Sequence, residues 1–270
     1  MVNLNKLIGD HPLLRPINMT ELDNSIKLTK NKAPGPSGMK IIQIKLLPIN
    51  CKQALLNILN AILASSYFPY ILRNELMIFI EKSNKSKSNP LNYRPICLIE
   101  LIKKILERIM AARLIYYLEY NNLYSEKQFG YRQNKGTTHS ISLTFELINY
   151  IKKTKQSALI VSRDIQKAFD KVWWPGLLYK IDLLIPDTIH FLTFVWQYLN
   201  CRIIHPSFYN IIGNNFEPKS GIPQGSCLGP VLFSIFVNDH PNPVNKNNVY
   251  QQFADDLIAI ITSKFKIKKS

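Results

Sequence analysis

The sequence predicts an α+β fold that combines helices with short antiparallel strands. Apolar residues recur at a helical period in residues 41–63 and 98–118, which predicts core helices there. Residues 249–253 and 257–261 are short runs rich in β-branched and aromatic side chains, which favour strands. Because the two runs are almost contiguous, we interpret them as a tight β-hairpin.

The tip of this hairpin carries two adjacent aspartates. Asp255 and Asp256 place two carboxylates side by side, and they repel each other unless a cation, usually a divalent metal, neutralises them. Residues 158–161 predict a buried strand, and Asp164 follows it, where the end of a strand can present a third carboxylate to a cleft. The alternative is a solvated turn, because aspartate is common in turns.

Composition restricts the class of partner. The chain has 270 residues, of which 46% are hydrophobic, enough for one large domain or two modest ones with a packed core. Lys and Arg total 34 against 18 Asp and Glu, so the net charge is +16. Such a protein gains affinity for nucleic acid by releasing counterions from phosphates, and an anionic membrane surface is the alternative.

The sequence also bears on location and on metal chemistry. No apolar stretch is long enough to span a bilayer and no signal peptide opens the chain, so we expect an intracellular protein without membrane contact. The dispersed cysteines and histidines indicate neither a zinc site nor a disulfide framework. The basic run at residues 266–269 is too short and mixed to decide between nucleus and cytoplasm.

The N-terminal part predicts a helix, a strand and two shaped loops. A helix capped by Thr20 precedes residues 30–38, whose prolines and glycines exclude a helix or a central strand. This loop is either a linker or a basic loop in which Lys32 contacts a backbone phosphate. Residues 76–80 predict a strand, and the polar residues 81–90 an exposed loop.

Helix 98–118 carries a charged face, and such faces are usually solvated. A loop leads from it to a further helix, for which Thr137 and Thr138 supply cap groups. Arg132 lies in this loop beside two aromatic residues, where it could clamp a phosphate or be a surface arginine. The charged face comprises Lys103, Lys104, Glu107, Arg108 and Arg113.

The C-terminal half supplies core and one distinctive loop. Residues 183–199 predict a single core helix, and residues 203–212 a strand. Residues 219–230 contain three glycines and two prolines and lead into an apolar helix, residues 231–237. Glycines at a helix start let a ligand approach the backbone, whose free N–H groups suit an anion or a base edge, and Gln224 adds a donor and an acceptor. A simple loop and cap is the alternative.

Together these segments resemble the reverse transcriptases of non-LTR retrotransposons, the jockey and LINE group. Six motifs in the family's order and spacing carry the resemblance, which covers about residues 20–262. They are Lys32-Ala33-Pro34-Gly35-Pro36, Asn92-Tyr93-Arg94-Pro95-Ile96, Phe129-Gly130-Tyr131-Arg132, Asp164-Ile165-Gln166-Lys167-Ala168-Phe169-Asp170, Gly221-Ile222-Pro223-Gln224-Gly225-Ser226 and Phe253-Ala254-Asp255-Asp256.

The resemblance implies a right-hand polymerase fold, with fingers and a palm built on an antiparallel sheet. Residues 1–270 would form a single reverse transcriptase domain. The fingers would comprise about residues 1–157 and 183–220, and the palm about residues 158–182 and 221–270. The family continues beyond this point through a primer grip and a thumb, so we expect the thumb to be missing and the chain alone to have weak or undetectable activity.

The resemblance also implies the chemistry of the site. Two Mg²⁺ ions, with Mn²⁺ as a possible substitute, would serve transfer of deoxynucleotides to a DNA primer on an RNA template. No obligate protein partner is implied. The catalytic residues would be Asp164, Asp255 and Asp256, and these three with the carbonyl of Ile165 would be the metal ligands. The nucleotide-binding residues would be Lys82, Arg94, Phe169, Gln224 and Gly225, with Phe169 as the steric gate that excludes a ribose 2′-hydroxyl. The contacts with nucleic acid would be Lys32 and Arg132.

Some positions depart from the family's pattern. Ser37 replaces the aspartate usual after Pro-Gly-Pro, and Ser162 and Arg163 replace an apolar pair before Asp164. If the strand continues, Arg163 points to the face opposite Asp164, where its charge needs a partner. The alternative function is an inactive remnant of a mobile element that at most binds nucleic acid.

Overall fold

The computed structural model describes residues 11–83, 86–132, 134–209, 211–240 and 248–263. Asn84 and Lys85 of the polar loop and the basic run at residues 266–269 lie outside these ranges. Within them, no helix is both long and apolar enough to cross a membrane.

Helices account for most of the regular structure in the described ranges. The longest of them are α5, with 20 residues, and α3 and α6, with 17 each. The helices are α1 (Met19–Leu28), α2 (Ile41–Lys45), α3 (Ile49–Ser65), α4 (Tyr70–Arg73), α5 (Leu101–Tyr120), α6 (Thr137–Lys153), α7 (Trp174–Leu184), α8 (Ile189–Asn200) and α9 (Gly229–Phe236).

Two sheets accompany these helices. The first has the order β2-β1-β4-β5, with β1 antiparallel to β2 and parallel to β4. The second is antiparallel throughout and has the order β3-β7-β6. The predicted α+β class is therefore confirmed. The strands are β1 (Asn74–Glu81), β2 (Tyr93–Ile99), β3 (Ser157–Asp164), β4 (Ile203–Phe208), β5 (Ile211–Ile212), β6 (Val249–Phe253) and β7 (Asp256–Ser263).

Several predicted helix boundaries were wrong. Asn18, rather than Thr20, caps α1, because its side chain accepts from Glu21 N while Glu21 accepts from Asn18 N, a capping box. Gly136 is the N-cap of α6, and Thr137 is already inside the helix. The single helix predicted over residues 183–199 is divided into α7 and α8, because Pro186 disfavours helical backbone before it.

The strand β3 is exposed, although the sequence predicted it to be buried. Leu159 and Ile160 are 53% and 50% exposed, because β3 is the edge strand of its sheet and little of the described chain covers its faces. Arg163 is exposed as well, so its charge stays in water and needs no partner.

The usual interpretation of a charged helix face, exposure to solvent, does not hold for three residues of α5. Lys103 and Glu107 are almost completely buried, and Arg113 is buried against the N-terminal segment. Arg113 donates to both oxygens of Glu21, at 2.8 Å each. The helix α5 is therefore covered on most of its surface, apart from a stripe that includes the exposed Tyr116 and Tyr120.

Lys103 belongs to a buried ionic cluster centred on Glu75 of β1. The Lys103 Nζ atom lies 2.8 Å from Glu75 Oε1, and Arg202 Nη2 lies 3.0 Å from Glu75 Oε2. Burial opposes ionisation of Glu75, but the two cations hold its pKa down at about 2. The cluster joins the first sheet to α5 and to the end of α8.

This depressed pKa predicts a stability that depends on pH. Because the ordinary pKa of glutamate is near 4.5, the ionised Glu75 should contribute stability above that pH, and the contribution should be lost as pH falls towards 2. The size of the loss should be about 3 kcal/mol. Urea unfolding at pH 7, 4.5 and 3 would detect about 2 kcal/mol of this loss, because the titration is complete only near pH 2, and equal stabilities at pH 4.5 and 3 would contradict it.

Candidate active site

The hairpin that carries the two adjacent aspartates is present as predicted. Strands β6 and β7 pair through Phe253 and Asp256, and Ala254 and Asp255 form the turn between them. Ala254 has a φ of 58°, a left-handed conformation that a tight turn of this kind requires.

The fold brings the third carboxylate to this hairpin. Asp164, the last residue of β3, is the direct cross-strand partner of Asp256 in the antiparallel pairing of β3 with β7. Directly opposed residues of antiparallel strands project to the same face of the sheet. Asp164 and Asp256 are exposed and Asp255 is half-buried, so all three are accessible from solvent.

A segment that follows α5 supports the aspartate turn. Gln252 N donates to Lys127 O and Phe129 N donates to Gln252 O, which adds this segment to the edge of β6. The buried amide oxygen of Gln128 accepts from Gly130 N at 2.8 Å and from Ala254 N at 3.2 Å. The backbone of the turn is thus fixed by a side chain that the sequence did not single out.

Gly130 is required by this contact. A Cβ atom there would lie 2.4 Å from Ala254 N, so no larger residue fits without moving the turn. The glycine of the Phe-Gly-Tyr-Arg motif therefore packs directly on the backbone that precedes Asp255.

Phe169 lies in an aromatic group beside the carboxylates. Its ring stacks on Phe233 of α9 at a centroid distance of 5.1 Å, and the ring of Tyr131 meets it edge-on at 6.5 Å. Burial and the nearby charge of Asp255 raise the pKa of Tyr131. Tyr131 therefore lies between Phe169 and the aspartate turn.

The glycine-rich loop packs against the first sheet. Cys97 N of β2 donates to Gln224 O at 2.7 Å, and the Gln224 side-chain amide donates to Asp170 Oδ1 at 2.9 Å. Gly225 has a φ of 111°, and a Cβ atom there would lie 2.7 Å from Cys97 O. The same loop borders a cavity of about 210 Å³ between β2, β4 and Asp170.

A buried carboxylate holds the far end of this loop. Glu107 Oε2 accepts from Ser226 Oγ and from Cys227 N, both at 2.9 Å, and Glu107 Oε1 accepts from Tyr198 Oη. Burial raises the pKa of Glu107. Ser226 Oγ in turn accepts from Leu228 N and Gly229 N, so it organises the start of α9.

Basic side chains converge on the same loop. Burial raises the pKa of the Cys227 thiol, with Glu107 contributing, while the charges of Arg108, Lys104 and Lys32 oppose the rise. Lys32 and Lys104 also line one small cavity at the start of α5. Lys32 itself is exposed.

The loop that contains Lys32 is tied to α5 by Ser37. Ser37 N and Oγ donate to the two oxygens of Glu100, at 2.7 and 2.6 Å. An aspartate at position 37, which the family usually has, would place a second negative charge against Glu100. The serine is therefore consistent with its surroundings.

The remaining predicted site residues have varied surroundings. Lys82 directly follows β1 and Arg94 is the second residue of β2, so both lie at the same end of this hairpin, where Arg94 is exposed. The Lys82 ammonium donates to Leu91 O. Ile165 follows Asp164 and is also exposed. The roles assigned to these residues remain predictions.

Arg132 is not a solvated surface arginine. Its guanidinium donates to both oxygens of Glu119, at 2.9 and 2.6 Å, and to Ser125 O, and it lies over the ring of Tyr124. The side chain is 10% exposed. A contact of Arg132 with nucleic acid stays a prediction.

The donor set fits magnesium in its chemistry. Within the part of the chain described, no three or more His, Cys, Asp and Glu side chains are gathered as a formed metal site. The three aspartates nevertheless offer accessible carboxylate oxygens, which are the ligands that Mg²⁺ prefers. They offer no nitrogen or sulfur ligand.

An antiparallel sheet bearing an aspartate hairpin, joined to a helical module with a second sheet, is the palm and fingers arrangement of the right-hand polymerases. The chain belongs to the reverse transcriptase (RNA-dependent DNA polymerase) family, whose model matches residues 80–270. The resemblance to the enzymes of non-LTR retrotransposons is confirmed.

Two curated relatives come from Drosophila melanogaster. The RNA-directed DNA polymerase from mobile element jockey is 33% identical over 258 residues, which is 93% of this chain and 28% of the relative. The probable RNA-directed DNA polymerase from transposon X-element is 32% identical over 88% of this chain and 26% of the relative. The chain thus spans about a quarter of the length of these relatives.

Solved structures support the fold. A telomerase from Candida tropicalis, in complex with a fragment of telomeric RNA, matches 72% of this chain and 36% of its own with a TM-score of 0.53 and 13% sequence identity. At this identity the match shows the fold alone.

Proposed function

We propose that this chain is the core of an RNA-directed DNA polymerase, which transfers deoxynucleotides to the 3′-hydroxyl of a DNA primer on an RNA template. The observation that carries the proposal is the pairing of Asp164 with Asp256 beside Asp255 in the turn. The relatives named as RNA-directed DNA polymerases support the same reaction.

Each residue group has a role in this proposal. Asp164, Asp255, Asp256 and the carbonyl of Ile165 would hold two Mg²⁺ ions, which when bound activate the primer hydroxyl and neutralise the leaving pyrophosphate. Lys82 and Arg94 would bind the triphosphate, the lysine as a point charge and the arginine as a fork. Gln224 and Gly225 would line the nucleotide pocket.

The basic loop beside this pocket suits the template. Lys32 and Lys104 line one small cavity near the glycine-rich loop that contains Gln224 and Cys227, and their charges would attract backbone phosphates. The net charge of +16 gives the whole chain the same preference. The RNA template would therefore pass along this side of the fingers.

Primer extension tests the proposal. Purified chain would be incubated with an RNA template, a labelled DNA primer and deoxynucleotides in Mg²⁺, and then in Mn²⁺, with EDTA as the metal-free control. We expect extension that needs the metal and that is weak, as the sequence predicts for this chain alone. Salt-sensitive duplex binding without extension in either metal would instead identify an inactive remnant that binds nucleic acid.

Phe169 should decide between deoxynucleotides and ribonucleotides. Its ring is fixed by Phe233, and in the proposed role it collides with a ribose 2′-hydroxyl. Phe169→Val should therefore raise the relative kcat/KM for ribonucleotides roughly 10- to 100-fold. The matched control is Phe145→Val, which removes an exposed ring of α6. An unchanged ratio in Phe169→Val would contradict the assignment.

A further inference from the structure

Tyr131 has a strained backbone at the edge of the aspartate turn. Its φ is 60°, in the left-handed region that bulky residues rarely adopt and that costs stability. Burial does not explain the strain, because the side chain is 40% exposed. Strained residues persist only where the surrounding structure fixes them, and they are frequent at active sites.

The surroundings of Tyr131 fix its position. The preceding Gly130 packs on Ala254 N, and Gln128 binds the N–H groups of both Gly130 and Ala254. The left-handed backbone at Tyr131 then sends its ring towards Phe169 rather than away from the hairpin. The influence of Asp255 on the pKa of Tyr131 agrees with this position.

The ring of Tyr131 therefore borders the space between the aspartate turn and Phe169, the proposed steric gate. Phe169 would lie against the sugar of the incoming nucleotide, and the carboxylates would lie at the primer 3′-hydroxyl. The group nearest to both is the sugar of the last primer nucleotide. An exposed aromatic face is suited to such a sugar, because the ring offers a large apolar surface to the C–H groups of the sugar whatever the base.

We propose that Tyr131 contacts the sugar of the primer-terminal nucleotide and positions the primer end beside Asp255. This inference rests on the proposed function, since it needs a primer in the cleft. In this proposal the strained backbone at position 131 serves substrate binding, because it holds the ring where the primer end would lie.

The test uses glycine, which adopts left-handed backbone without strain. Tyr131→Gly should fold as well as the wild-type chain, with an equal or higher thermal midpoint. Its Kd for an RNA template annealed to a DNA primer, measured by fluorescence anisotropy without nucleotide, should rise about fivefold or more. Tyr131→Phe, which keeps the ring, should bind as the wild type does.

Tyr209→Gly is the matched control. Tyr209 also has a positive φ, of 47°, and is 72% exposed, but it lies at the end of β4 in the first sheet. It should lose no affinity for the primed template. If Tyr131→Gly does not fold, Tyr131→Asn replaces it, because asparagine tolerates the same backbone.

The outcomes separate this inference from the proposed function. Equal Kd values for Tyr131→Gly and Tyr209→Gly overturn the contact. Equal weakening by Tyr131→Gly on an unprimed RNA template assigns the ring to the template and overturns the primer contact. A wild-type chain that binds the primed template but does not extend it in any metal defeats the proposed function and leaves the binding comparison valid. A wild-type chain with no affinity for the primed template overturns both.

Discussion

Replacing Asp255 by asparagine should abolish primer extension and leave folding and duplex binding intact. The change removes one negative charge at the hairpin tip, where the proposed metal site needs it. Because metal ions contribute several kcal/mol of charge stabilisation to phosphoryl transfer, the rate should fall about a thousandfold or more. Asparagine is well tolerated in turns, so the hairpin should keep its shape.

The control for this prediction is Asp182→Asn. Asp182 is an exposed residue of α7, outside the sheet that carries the aspartates, so the same chemical change should leave extension unaltered. Extension rates and duplex affinities of both variants would be measured in Mg²⁺ and in Mn²⁺. Extension by Asp255→Asn at the rate of Asp182→Asn would remove Asp255 from the mechanism.

The same pair of variants allows a second measurement that does not depend on activity. Mn²⁺ binding, followed by the relaxation of solvent protons, should be weaker in Asp255→Asn than in Asp182→Asn. The side chains of Asp164 and Asp256 share one face of the sheet, so they should retain part of the affinity. Equal Mn²⁺ affinities would argue that Asp255 is not a ligand.

Local sequence patterns predicted the parts of the site that are formed locally. The hairpin follows from two adjoining strand-forming runs, and β7 and β6 pair as those runs predict. The capping box of Asn18 and Glu21 and the break at Pro186 are local as well. Both have a local sequence signature, namely the Asn-x-x-Glu spacing at the start of α1 and the proline between α7 and α8.

Burial of charge could not be predicted in the same way, because it depends on partners far along the chain. From the sequence alone, the charged face of α5 could be exposed to solvent. The fold places Glu75, Tyr198 and Ser226 against it, and these residues bind its buried charged groups. The support of the turn by Gln128 has the same origin, since its amide oxygen accepts from Ala254 N, which lies 126 positions further along the chain. In each case the contact exists only after two sheets and α5 have assembled.

The buried cluster leads to the second prediction with a large effect. Glu75→Gln should lower the free energy of unfolding by about 3–5 kcal/mol. The neutral amide leaves Lys103 and Arg202 buried without the carboxylate that compensates both charges, and Lys103 is completely buried. Because the cluster joins the first sheet to α5 and α8, the loss should appear as global unfolding at lower urea concentration.

Glu81→Gln is the matched control, because Glu81 ends the same strand but is exposed and pairs with the exposed Lys87. Exposed ion pairs contribute little, so this variant should differ from the wild type by less than about 1 kcal/mol. Equal midpoints for the two variants would mean that relaxation or water compensates the buried cations. A large loss confined to Glu75→Gln would show that the packing of the first sheet against α5 and the end of α8 depends on this one carboxylate.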